Sequence, residues 1–121
     1  MLSFTFYTQN GQRLHCIRMA ESLYEWLIQS DFAQVGRSQP TTLQLEGEAL
    51  ELPLIFLSST TRSMFIALFN EMILLETSAM LNDLDHNFSQ TTIAPRSYRL
   101  KKLIELLTCL KDPEFTYFQR E

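Results

Sequence analysis

Glycine, proline and cysteine are all scarce in this chain: three, four and two among 121 residues. So few glycines and prolines leave no flexible or proline-rich linker, and the sequence predicts a single domain over residues 1–121. Cys16 and Cys109 form no CxxC pair, and a chain of this length buries a core without a disulfide or a structural metal. The expectation is two free thiols in a reducing compartment. Only two histidines occur, His15 and His86, and neither stands at a spacing that suggests a serine–histidine–acid arrangement. No basic segment followed by an apolar run opens the chain, which speaks against a secretory signal. The apolar run SMFIALFNEMILL is interrupted by Asn70 and Glu71, with Glu76 beyond it, short of the roughly 20 apolar residues of a membrane span. A cytoplasmic location follows as the expectation. No motif calls for a cofactor.

Basic charge is missing from the middle of the chain. Between Ser38 and Pro95 seven acids face Arg62 alone, although the net charge of the whole is only −4. Such a stretch repels phosphates, which argues against direct nucleic-acid binding and favours basic partners.

Against these absences stands a clear pattern of strands and helices. Residues 3–8, SFTFYT, alternate as a half-buried strand. Residues 41–57 read as a hairpin with Leu43 and Leu45 on one arm, Leu50, Leu52, Leu54 and Phe56 on the other, and a turn around Gly47. Pro53 lacks an amide hydrogen, so its strand belongs at an edge or a bulge. FTYF, 115–118, predicts a last strand. A middle helix is predicted from about Arg62 to Leu84, apolar nearly all round at its start and therefore buried on several sides or against another subunit. A third helix runs from about Ser97, a candidate cap, to Lys111, with Leu100, Leu103, Ile104, Leu107 and Leu110 on one face. Residues 31–42 and 86–96 are loop-like.

The stretch YTQNGQRLHCIRM, 7–19, supports two structures. Asn10-Gly11 is a hairpin signal. Yet Leu14, Ile17, Ala20, Tyr24, Leu27 and Ile28 share a helical face, and no turn residue separates Gln12 from Ser30. The missing turn favours a helix starting near Gln12 and capped by Asn10, over a second strand at 13–18. The fold class is α+β: about three helices packed on an antiparallel sheet, in the order β-α-β-β-α-α-β.

Few residues suggest chemistry. Cys109 falls away from the leucine face of the third helix, an exposed cysteine beside Lys102 and Glu105; the lysine would favour a thiolate, and the negative helix C-terminus would disfavour it. DLDHNF, 83–88, opens like a calcium loop. The match fails where Gly and a bidentate Glu are required, because Phe88 and Ala94 stand there, and no metal is expected. SSTTRS, 58–63, offers hydroxyls and Arg62 at a helix start, where they serve as caps before they serve as an anion site. PRSYRLKK places Arg96, Arg99, Lys101 and Lys102 at a helix N-terminus, against the helix dipole, and needs a compensating acid such as Asp83 or Asp85, or an acidic surface.

Without a catalytic motif, the expectation is a non-enzymatic protein-binding module. Its concrete form is a small bacterial inhibitor or immunity-type protein that masks a basic toxin or nuclease. The candidate contacts are Glu46, Glu48, Glu51, Asp83 and Asp85, the basic Arg96, Arg99, Lys101 and Lys102, and Trp26. Two alternatives stand beside it: a secretion chaperone or assembly subunit acting as a homodimer, and a small enzyme or ligand-binding protein with a pocket beside the sheet.

Overall fold

Alternation of Phe4 and Phe6 with smaller residues builds the first strand, β1 (Leu2–Thr8), in a computed structural model that describes residues 2–86 and 90–120, the side chains of 83–95 excepted. Thr8 and Arg13 then close a turn around Gln9–Gln12, and the chain returns as β2 (Leu14–Met19), paired antiparallel with β1 from Leu2↔Met19 to Tyr7↔Leu14. Residues 13–18 are therefore largely strand, which corrects the expectation of a helix from Gln12. The turn missing from the sequence is supplied by tertiary structure. Ala20 is extended (φ −64°, ψ 148°), and its backbone N–H donates to the hydroxyl of Tyr98, far along the chain, while its carbonyl accepts from Leu23 and Tyr24 to open α1 (Glu21–Ile28). Asn10 does accept a backbone N–H, but from Gln12, and so it closes the hairpin turn instead of capping a helix.

After a short 3-10 turn at Asp31–Gln34 come β3 (Gln39–Leu45) and β4 (Glu48–Phe56), a hairpin joined by Glu46-Gly47. Both turn residues have positive φ, 50° and 82°, as a two-residue hairpin turn with right-handed strand twist requires. Two long helices follow, α2 (Ser59–His86) and α3 (Gln90–Lys111), and then β5 (Phe115–Gln119). The third helix starts earlier than Ser97, so Pro95 falls in its second turn, where one backbone hydrogen bond is forgone.

The five strands form one antiparallel sheet in the order β2-β1-β5-β4-β3, with the last strand of the chain in the centre. The α+β class with three helices on an antiparallel sheet is as expected, with β2 as an additional strand. Pro53 lies opposite Pro40, while β5 joins β4 further along, at Ile55 and Phe56, so Pro53 lies beyond that pairing.

One face of the sheet carries the main core. Phe32 sits at its centre, with its ring 5.2 Å from Phe4, 5.5 Å from Phe69 and 5.8 Å from Phe65, and Phe118 closes the cluster. Aromatic pairs at these spacings add about 0.5–1.5 kcal/mol each beyond the area they bury. Two arginines tie the ends together through backbone carbonyls. Arg62 donates to Leu110, Asp112 and Phe115, and buried Arg120 donates to Phe32 and Val35. The opposite face holds a smaller cluster of Tyr7, Leu43 and Leu54.

Candidate functional site

Two strands that twist about each other, joined by a tight turn, project carboxylates. Glu46, Glu48 and Glu51 are all exposed on the β3–β4 hairpin. Register sorts them. Glu48 pairs with Leu45 and shares the face of Leu50 and Leu43, while Glu51 pairs with Thr42 on the opposite face. Beside Glu46 and Glu48 the β1–β2 turn closes in, and a groove of about 720 Å³ opens between the two hairpins. Leu14, Leu45 and Leu50 supply its apolar lining, Glu46 and Glu48 its charge, and no base is among the described residues that line it. Leu14 and Leu50 are themselves solvent-exposed. Such a groove can take an apolar side chain flanked by cations.

The groove rests on Gly11, at φ +71°, where a Cβ atom would stand 2.4 Å from the carbonyl oxygen of Gln44. The β1–β2 turn thus touches the backbone of β3 and fixes the base of the acidic hairpin. At Gly47, on the tip, the same Cβ would meet nothing within 4 Å.

The basic start of α3 is differently disposed. Arg99 donates to Glu76 at 2.8 Å and its guanidinium lies 4.3 Å from the ring centre of Trp26. Arg96 approaches the other Glu76 oxygen at 3.7 Å. Lys102 bonds Glu105 at 3.3 Å and lies over the Tyr98 ring, while Lys101 is exposed. The compensating acid among the described side chains is therefore Glu76, which is buried. Trp26 is half-buried beneath Arg99, not open on the surface. The side chains of Asp83 and Asp85, and with them the 83–88 cluster, lie outside those described.

Several chemical candidates recede. Cys109 is buried in the main core, which corrects its expected exposure. Burial, then the nearby charges of Asp112 and Glu105, push its thiol up to about 11 against the opposing pull of Arg13, so it is protonated at neutral pH. Cys16 and His15 are exposed on β2, His15 opposite Phe6. His15 and Cys109 do share a small pocket beside the sheet, of about 290 Å³, with Arg13 and Asp112. Arg13 is already bound to Glu114 and Asp112. Ser58 accepts from the Thr61 amide, capping the start of α2, and Arg62 is spent on carbonyls. Among the described residues no group of three His, Cys, Asp or Glu is placed to hold a metal.

The helix expected to be buried on several sides or against another subunit, α2, has an exposed apolar outer face. Met64, Leu74, Leu75 and Leu81 are 51–65% exposed, while Phe65, Phe69, Met72 and Glu76 face inward. Within Ser59–Asn82 an 18-residue window reaches a mean hydropathy of 1.5, so the helix is long and apolar enough by length and composition to cross a membrane, although its inward side packs on the sheet. The spacing of apolar residues around the whole helix was the signal, but it could not tell which face had a partner. No protein family, curated protein or solved structure matches this chain.

Proposed function

We propose that this chain is a non-enzymatic protein-binding module whose β3–β4 hairpin docks a basic partner, the mode of a small acidic inhibitor or immunity-type protein. The observation that carries this reading is the groove at the hairpin. Its carboxylates, Glu46 and Glu48, flank exposed Leu14 and Leu50, and no base lines it among the described residues. Carboxylates steer a cationic partner and compete with the phosphates such a partner binds, and the leucines supply area that loses water on contact. The turn itself supports the same reading. Glu46 holds a left-handed backbone, φ 50°, where asparagine or glycine would be less strained. Strain retained at an exposed tip calls for a role of the side chain there.

The test is affinity capture from an extract of the source cell, with the wild-type chain and Glu46→Lys/Glu48→Lys as baits. A basic protein held by the wild type, released as salt is raised and lost from the variant is the expected result. Affinity should drop at least about tenfold, or 1.4 kcal/mol. Equal capture by both baits overturns the docking surface.

A further inference from the structure

Between Ser59 and Asn82 the exposed positions of α2 carry one charge only, Glu71. Their seam runs Met64, Ala67, Glu71, Leu74, Ser78, Leu81, in alternating steps of three and four residues. This 3.5-residue repeat keeps one stripe facing a second helix, and it points away from Phe65, Phe69 and Met72 on the core side. From this seam we propose that α2 pairs antiparallel with α2 of a second copy of this chain, about a two-fold axis between residues 72 and 73. The pairing is independent of the acidic hairpin.

The seam is self-complementary under that operation, as an isologous contact requires. Met64 falls opposite Leu81, and Ala67 opposite Ser78, so large residues meet at the ends and small ones between them let the backbones approach. Glu71 falls opposite Leu74, which brings the two Glu71 carboxylates near the axis and limits the strength of the dimer. A lipid surface is the poorer occupant. A helix lying on a membrane carries Lys and Arg along its polar flank. The exposed positions of this one carry none between Ser59 and Asn82. The seam is about 26 Å long at 1.5 Å per residue. At the width of one helix it buries less than the roughly 800 Å² per partner of a standard interface, the size class of weak, reversible contacts.

Sedimentation equilibrium of the full chain tests this. The wild type should show a monomer–dimer equilibrium at micromolar concentration. Leu74→Glu should weaken it at least tenfold with an unchanged circular dichroism spectrum, and Glu71→Leu should tighten it at least threefold. Orientation is read by oxidative cross-linking in a Cys16→Ser background. Ala67→Cys with Ser78→Cys should cross-link, while Ala67→Cys alone should not, because the antiparallel pairing separates the two copies of that residue by about 16 Å. A wild-type chain that stays monomeric at about 0.2 mM overturns the proposal. So does efficient cross-linking through Ala67→Cys alone, or binding to phosphatidylcholine vesicles without self-association.

Discussion

The β1–β2 and β3–β4 hairpins turn on similar residues, Asn10-Gly11 and Glu46-Gly47, and each glycine has positive φ. Their surroundings differ. Gly11 is buried against the carbonyl of Gln44, whereas Gly47 stands in open space. One turn is a buttress, fixed on both sides; the other is a tip, held only by its strands. A partner-binding loop gains from both arrangements at once, because a free tip presents its side chains and a fixed base limits the entropy lost on docking.

The largest effect expected from this contrast is at Gly11. Gly11→Ala places a methyl group on the Gln44 carbonyl and forces a left-handed alanine, and neither the β3 backbone nor the turn can yield without losing ladder hydrogen bonds. Urea denaturation should show a loss of about 3 kcal/mol with the slope unchanged. A loss no larger than that of the matching change at Gly47 would erase the distinction between buttress and tip.

Sequence alone reached the tip but not the buttress. The leucine alternation at 43–45 and 50–54 set the β3–β4 hairpin and its register, and with them the exposure of Glu46, Glu48 and Glu51. Residues 13–18 failed because their turn signal is not local. The strand stops at Ala20, whose amide is satisfied by Tyr98 on α3, and no pattern within 12–30 encodes a bond to a hydroxyl 78 residues away. The basic start of α3 was visible as an electrostatic debt. One acid that meets it, Glu76, was not, because it lies one helix back and inside. Cys109 was misplaced for a related reason: helical spacing set it off the leucine face, beside Lys102 and Glu105, and could not register the core residues of the sheet that bury it. Charge clusters and thiols are legible in sequence as chemistry. Whether the fold consumes them is a property of pairs far apart in the chain.

At the tip the same substitution should do far less. Gly47→Ala meets no atom, so only the left-handed backbone at φ 82° opposes it, at about 1 kcal/mol by the same denaturation measurement. A ratio near three between the two glycine variants would place most of the Gly11 cost in the contact with Gln44. Two equal losses would place it in backbone conformation alone.

The smallest effect in stability is the most informative about function, because its sign is positive. Glu46→Asn creates Asn-Gly, the dipeptide that a two-residue turn with two positive φ angles accepts best, and removes a carboxylate from a position where φ is 50°. Stability should rise by about 0.5 kcal/mol. The same change takes one charge from the edge of the groove, so capture of a basic partner should weaken even as the fold strengthens. Both readings come from one variant and move in opposite directions. A turn kept only for its geometry would give the gain in stability with no change in binding, and would transfer the acidic role to Glu48 alone.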